Sequence, residues 1–360
     1  MKITYIAETS LTNRSAYTHH VLKMCDAFSK KGKVELIIPF VKGKLNFKKI
    51  KRNFLLKTKE NFMIRSILKT NIVNFLNRFL FGLKVANFLK NNTSEVIVSR
   101  SLISSFFLCI FRINHFLEIH NELKGLTKFL LIYLNFINSK YLIRIILISK
   151  SLSKKFNSIK REKLLILHDA VDIKDFRFKV KNVKIPKSVT YVGSFYKGKG
   201  VELILELARK FKRITFNIYG DTLGKHYQKL KNVKLHGYIN YYLVPKALMN
   251  SDILILPSAN IQFGRAKNIN ITNYNSPLKM FDYLAAGKII LASKRDGICE
   301  ILKHNHNSVI VKNYNLKSWS NALNSIIKKR YNLSKLRKNS LKTSKIYTWD
   351  KRIIKILNTL

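Results

Sequence analysis

Short apolar runs alternate with amphipathic stretches along most of the chain. Lys2–Ile6 reads as a buried strand, and Asn13–Lys31 places Val21, Leu22, Met24, Cys25 and Phe28 on one face at helical spacing. Gly32 ends that helix and Val34–Pro39 is the next apolar run. A strand–helix–strand opening predicts a parallel sheet. Further strands are predicted at Glu95–Ser99, Phe116–Ile119, Ile143–Ser149 and Leu164–Leu167, with Leu45–Asn91 mostly helical. Asp172–Lys187 is polar and basic, is closed by Pro186, and reads as a linker. The alternation then restarts. Strands are predicted at Val189–Val192, Ile214–Tyr219, Lys234–Gly237, Asp252–Leu256 and Ile289–Ala292. Helices are predicted over Gly200–Arg213, Asn240–Met249 and Pro277–Ala286, followed by a helical C-terminal region. The expected fold is therefore α/β, with two doubly wound units in succession. The expected divisions are residues 1–172, a linker at 173–187, and 188–340, with 341–360 as a terminal helix. Open sheets of this kind bind ligands beyond the carboxyl ends of their strands.

Composition narrows the class. The 360 residues are 47% hydrophobic, enough for two cored domains and against global disorder. Cys25, Cys109 and Cys299 are too few and too scattered for a disulfide framework or a zinc site, and read as thiols in a reducing cytoplasm. The opening MKITYIAETS lacks signal-peptide form, because Glu8 cuts its short apolar run. Phe106–Phe111 is too short to span a bilayer, and polar residues interrupt Phe129–Ile148.

Charge adds a second theme. Lys and Arg number 68 against 19 acids, a formal net charge of +49, which draws polyanions: nucleic acid or an anionic membrane surface. Lys42–Thr70 holds ten Lys/Arg and one acid, interleaved with large apolar residues. That mixture suits the interface of an anionic bilayer, and equally a solvated basic face.

Two segments carry candidate chemistry. In NSPLKMFDYLAAGKIILAS (Asn275–Ser293), Ser276 is expected as N-cap, Pro277 as the first helical residue and Gly287 just past the end. Leu278, Phe281, Leu284 and Ala285 form the expected buried side, with Lys279, Asp282 and Ala286 on another stripe. The helix start offers N–H groups to an anion and Lys279 adds charge, while Asp282 stands where a carboxylate accepts from ribose hydroxyls. An ordinary capped helix with a surface ion pair has the same spacing. The preceding stretch Ser258–Asn275 reads as a long loop without structure of its own. In YVGSFYKGKG (Tyr191–Gly200), Gly193, Gly198 and Gly200 permit close backbone approach and Lys199 can meet a phosphate. Gly200 stands where a nucleotide-triphosphatase P-loop needs Ser or Thr, so that class is set aside.

The row SPLKMFDYLAAGKIILAS resembles the nucleotide-sugar motif of family 4 glycosyltransferases, and YVGSFYKGKG resembles that family's diphosphate loop. IYGD (Ile218–Asp221), HGYI (His236–Ile239), SDILILPS (Ser251–Ser258) and LHDAVDIKDF (Leu167–Phe176) resemble its strand-end and junction signatures. NRSAYTHHVLKMCDAF (Asn13–Phe28) and EIHN (Glu118–Asn121) are similar to its N-terminal ones. The resemblance implies the GT-B architecture, two Rossmann-like α/β/α domains facing a central cleft, with a Trp349-centred last helix that crosses back to the first domain. It implies a nucleotide-sugar donor site built from Gly193, Ser194, Lys199, Gly220, Ser276, Pro277, Leu278, Lys279 and Asp282. Arg14, Ser15, His20 and His120 would lie on the acceptor side, and Lys199, Asp282 and His120 would carry the catalysis. The chain departs from the family in four places. Ser194 replaces an Arg, for which Arg265 is the candidate substitute. Tyr274 replaces an acid, Asp282 replaces Glu, and Ala170 replaces Gly.

The expected function is sugar transfer, with retention, from a nucleoside-diphosphate sugar to a glycan or lipid-linked acceptor of a surface polysaccharide. No cofactor, metal or specific nucleic acid is expected. The expected location is the cytoplasm, at the inner face of the membrane. The alternatives are a basic nucleic-acid-binding protein and a non-catalytic sugar-nucleotide-binding paralogue.

Overall fold

The computed structural model describes residues 1–11, 15–41, 43, 45–58, 61–69, 74–157, 159–176, 185–220, 230–263 and 270–360. It contains two compact units. Met1–His168 with Trp349–Leu360 forms the first, and Asp169–Thr348 the second. The sequence reading divides the chain at 172/173 and at 340/341 instead. Residues 333–344 stay with the second unit because that helix packs on the strand and helix of its nucleus.

The first unit holds strands β1 (Lys2–Ile6), β2 (Lys33–Ile38), β3 (Phe62–Ser66), β4 (Val96–Ser99), β5 (His115–Ile119), β6 (Leu142–Leu147) and β7 (Leu164–Ile166). They form one sheet in the order β3-β2-β1-β4-β5-β6-β7, and every pair is parallel. In the second unit β8 (Ser188–Val192), β9 (Thr215–Tyr219), β10 (Val233–Gly237), β11 (Ile253–Leu256), β12 (Ile289–Ser293) and β13 (Val309–Val311) run in the order β10-β9-β8-β11-β12-β13, again all parallel. The order reverses between β1 and β4 in one sheet and between β8 and β11 in the other. Those switch points are where ligands meet open parallel sheets. The central strands β1, β11 and β12 are apolar almost throughout because helices cover both of their faces.

The helices are α1 (Ala16–Phe28), α2 (Phe47–Phe54), α3 (Phe75–Asn91), α4 (Leu102–Ile110), α5 (Gly125–Lys128), α6 (Lys150–Ser153), α7 (Val201–Lys210), α8 (Val244–Met249), α9 (Leu278–Ala286), α10 (Asp296–Cys299), α11 (Leu316–Ile327), α12 (Leu333–Ser344) and α13 (Trp349–Leu357). α13 lies in the first unit, beside α1.

The structure adds detail to three expectations. Leu45–Asn91 is mostly helical through α2 and α3, as expected, but β3 interrupts it as the edge strand of the first sheet. The basic segment 42–70 commits part of its apolar residues to the core. Ile50, Phe54, Leu56 and Phe62 are buried, whereas Met63 is exposed and Leu45, Phe47, Leu55, Ile64, Ile67 and Leu68 are partly buried. Ser258–Asn275 has structure at its base, where Phe263 bridges Asn270 and the Ile271 amide donates to the Gln262 carbonyl over 2.9 Å. Among the described residues no helix is long and apolar enough to cross a membrane. Phe129–Ile148 breaks into a π turn, a 3₁₀ turn and β6.

Candidate active site

The second unit's candidate site grows from the two strands that flank its switch point. β8 ends at Val192 and leads through Gly193–Gly200 into α7. β11 ends at Leu256 and leads to α9. Three glycines let these segments close on one another. A Cβ on Gly220 would strike the Gly193 carbonyl, and one on Gly198, where φ is +86°, would strike the Ile261 carbonyl. A Cβ on Gly193 would occupy the place of the Lys279 Nζ. Gly193→Ala is therefore expected to displace the ammonium and also to strain a backbone held at φ +155°, which side chains rarely adopt. Turnover should fall on the order of 10²-fold, and the melting temperature, read by circular dichroism, should fall as well.

Lys279 crosses the face of Tyr191, with its Nζ 4.0 Å from the ring centroid. Desolvation holds its ammonium well below the usual lysine range, and repulsion from Lys199 adds to that. Desolvation brings Lys199 down to about 8. Among the described residues neither lysine has a carboxylate partner. Two half-buried ammoniums that repel each other are costly unless an anion joins them.

The start of α9 adds to this anion site and corrects one expectation. The N-cap is Pro277, not Ser276, with ψ at 130° and no side-chain cap. The first-turn amides thus lack the side-chain acceptor that usually serves them. Ser276 Oγ is buried without a hydrogen-bond partner among the described residues. Leu278 and Lys279 are half-buried in that turn. Gly287 closes the helix in the left-handed conformation, φ 60°, as the spacing predicts.

Asp282 lies one turn deeper and is buried, where Tyr241 Oη donates to its Oδ1 over 2.9 Å. Tyr283 ties α9 to both strands: its oxygen accepts from the Val192 amide at 3.1 Å and its hydroxyl donates to the Ile255 carbonyl at 3.4 Å. Arg295 fastens the loop after β11, donating to the Ser258 carbonyl and Asn260 Oδ1 at 2.8 Å each. The Ser194 carbonyl accepts from Tyr191 Oη at 2.7 Å. The candidate substitute Arg265 lies outside the described residues, as does Arg14.

In the first unit, His20 on α1 and His120 after β5 converge on one carboxylate. His120 Nε2 donates to Glu118 Oε1 over 2.8 Å, and His20 Nε2 lies 2.8 Å from the same oxygen. Arg352 of α13 donates to Oε1 at 2.6 Å, and Tyr5 of β1 donates to Oε2 at 2.7 Å. Burial alone would raise the Glu118 carboxyl, but His20 and Arg352 outweigh it and hold the group well below the usual carboxylate range. Burial, with repulsion from Arg100, lowers His120 to about 4, so its imidazole is neutral at pH 7. With Nε2–H spent on Glu118, the lone pair of His120 sits on Nδ1, which makes it an acceptor toward a hydroxyl. Ser15 caps α1 through its Oγ, which accepts from the Thr18 amide at 3.2 Å. Sequence reasoning missed Glu118, Arg352, Tyr191 and Tyr241. Only Glu118 had a signal, as an acid inside an otherwise apolar strand.

The decisive comparison is with a family model. Residues 172–343 match Glycosyl transferases group 1. That domain on this fold marks a transferase enzyme. No curated protein matches the chain. Solved structures match its whole length. Anabaena HepE in complex with UDP and glucose has a TM-score of 0.72 at 16% identity, covering 100% of both chains. A glycosyltransferase from Rickettsia africae ESF-5 has a TM-score of 0.74 at 13% identity, over 99% of this chain and 97% of that one. The lipopolysaccharide outer core galactosyltransferase WaaB in its apo form has a TM-score of 0.69 at 16% identity, covering 100% of both. The architecture is that of GT-B glycosyltransferases: two parallel sheets, each with its own helices.

Proposed function

We propose that the chain is a retaining glycosyltransferase of the family 4 type, which moves a sugar from a nucleoside-diphosphate donor to a glycan or lipid-linked acceptor. The observation that carries this reading is the pair Lys199 and Lys279, two desolvated cations without a counter-ion among the described residues. A donor diphosphate supplies the missing anion. Lys199, Lys279, Ser276 and the start of α9 at Pro277 and Leu278 hold it, and Gly193, Ser194 and Gly220 form the close-approach wall. Asp282, fixed by Tyr241, takes the ribose.

When the bond from the sugar's anomeric carbon to the diphosphate oxygen breaks, negative charge grows on the leaving group. Preorganised cations stabilise that charge without reorganisation. The two lysines supply the neutralisation that a metal provides in other phosphate chemistry, so the proposed reaction needs none. On the first unit, the acceptor side comprises Arg14, Ser15, His20 and His120. His120, neutral and accepting through Nδ1, receives a hydroxyl proton or hydrogen bond.

Two of the similar structures suggest the donor and the pathway. HepE was solved with UDP-glucose, and WaaB is a galactosyltransferase of the lipopolysaccharide outer core. UDP-sugars are therefore the first donors to try, and a surface polysaccharide made at the inner membrane face is the proposed setting. Incubation with UDP-, GDP- and ADP-sugars, read as release of the free diphosphate, is expected to show turnover with one base. Tight donor binding without turnover would favour a non-catalytic paralogue.

The pH dependence has a definite sign. Bound diphosphate raises both lysine values from their depressed free-protein levels. UDP binding should therefore take up protons near pH 8, and affinity should fall as pH rises past about 8, the value for free Lys199. Phosphate's own titration near 6 lies below this window. Calorimetry in two buffers of different ionisation heat measures the uptake, and zero uptake at pH 8 would contradict the assignment.

A further inference from the structure

The first half of α3 faces solvent with apolar side chains, which is unusual in a chain this charged. Phe75, Leu76 (62%) and Leu80 are exposed, whereas Phe81, Val85, Ala86 and Leu89 of the same helix are buried. A line of rings runs from this exposed edge through the unit. Phe75 meets Phe79 at 6.2 Å, Phe79 meets Phe107 at 4.6 Å, Phe107 meets Phe106 at 5.3 Å, and Phe106 meets Phe136 at 4.6 Å. The segment that leads into Phe136 exposes apolar residues again: Leu126, Phe129 (49%), Tyr133 (68%) and Leu134. Single exposed apolar residues are ordinary, but a run of large ones on contiguous elements marks an interaction surface.

The charges on these elements point to the kind of partner. α3 contains Arg78, Lys84 and Lys90 and no acid, and residues 125–141 contain Lys128 and Lys140 and no acid. Two acids close to these elements are already engaged. Glu8 pairs with Arg78 at 2.8 Å, and Glu122 with Lys124 at 3.0 Å. Lys128 leans over Tyr133, 5.8 Å from the ring centroid, which places a cation beside an exposed ring. A lipid interface accepts this pattern of aromatic and leucine side chains flanked by cations without acids.

We propose that the ridge formed by the start of α3 and residues 125–134 seats the protein on an anionic bilayer. Phe75, Leu76, Phe129 and Tyr133 enter the headgroup–acyl boundary, and Lys84, Lys128 and Lys140 meet anionic headgroups. The proposal deepens the reading above, resting on it for the lipid-linked acceptor alone, and moves the membrane contact away from the basic segment at 42–70.

Vesicle sedimentation tests it, with phosphatidylcholine alone and with phosphatidylglycerol added, at low salt. Wild type is expected to sediment with the anionic vesicles and to be released by salt. The variant Phe75→Ser/Leu76→Ser/Phe129→Ser/Tyr133→Ser changes exposed side chains only. It should lose at least about tenfold in partitioning, with unchanged circular dichroism and unchanged UDP binding by calorimetry. A control, Lys48→Ser/Lys49→Ser/Arg52→Ser on α2, should partition within a few-fold of wild type. Equal partitioning of the apolar variant, abolition by the α2 control alone, or a dimer that this ridge forms in place of vesicle binding would each overturn the proposal. UDP binding without vesicle binding removes the docking surface and leaves the transferase reading standing. Vesicle binding without any nucleotide-sugar binding does the reverse.

Discussion

Lys199→Ala is expected to lower turnover about 10²–10³-fold, the usual cost of removing one preorganised group that stabilises transition-state charge. Its stability should move the other way. In the free protein Lys199 is desolvated and sits near a second ammonium, Lys279, with no carboxylate between them among the described residues. Removing one charge relieves that repulsion, so the variant should melt no lower than wild type. A lysine that merely props the loop would behave in the opposite manner, with lower stability and turnover largely kept. Lys279→Ala should match the loss of turnover, and the double variant should fall short of the product of the two losses because both charges serve one diphosphate. Diphosphate release and a thermal melt without ligand give both readouts.

The second large effect concerns the first unit. Arg352→Met should destabilise the protein by about 3–5 kcal/mol, because it leaves the buried Glu118 carboxylate without its guanidinium partner. Glu118 is in contact with Tyr5, His20, His120 and Arg352, so one variant loosens β1, α1, β5 and α13 together. Arg352 also donates to the carbonyls of Leu167 and His168, which holds α13 at the end of β7. The double variant Arg352→Met/Glu118→Gln should recover part of the loss, since it buries no unpaired charge. Urea unfolding of the four proteins of the cycle gives the coupling energy, and a value near zero would remove the ion pair from the account. The acid limb provides a second check. The Glu118 carboxyl lies well below its unfolded value near 4.3, so its stabilisation is fully present above that pH and is lost as pH falls toward the folded value. Glu118→Gln should flatten that limb.

Physical reasons separate what was legible in the sequence from what was not. Central parallel strands are covered on both faces, so β1, β8, β11 and β12 stand out as short apolar runs. The edge strand β3 was missed because it has one buried position and displays Met63, Arg65 and Ser66 outward, which reads as a basic helix. α9 starts one residue later than its spacing predicts. Pro277 takes an extended ψ, so the helix begins after it and Ser276 cannot serve the first turn. That difference matters for function, because a helix with no side-chain cap binds an anion better than a capped one. Glycine spacing exposes Gly193 and Lys199, and the expected helix start at Pro277 exposes Lys279, but no sequence pattern reveals that two lysines lack a counter-ion among the described residues. The Glu118 cluster was hidden more thoroughly. Glu118 and Arg352 stand 234 residues apart, and only the fold brings them together.

In the proposed function the second unit is built around a nucleoside diphosphate. Calorimetric titration of UDP, GDP and ADP into wild type and into Lys199→Ala/Lys279→Ala, with a single-stranded RNA of similar charge as comparison, tests it most directly. Wild type is expected to bind one diphosphate saturably and one-to-one, the double variant to lose that binding, and RNA binding to fade with salt in both proteins alike. Wild type that binds no nucleoside diphosphate, or a double variant that binds as tightly as wild type, would contradict it.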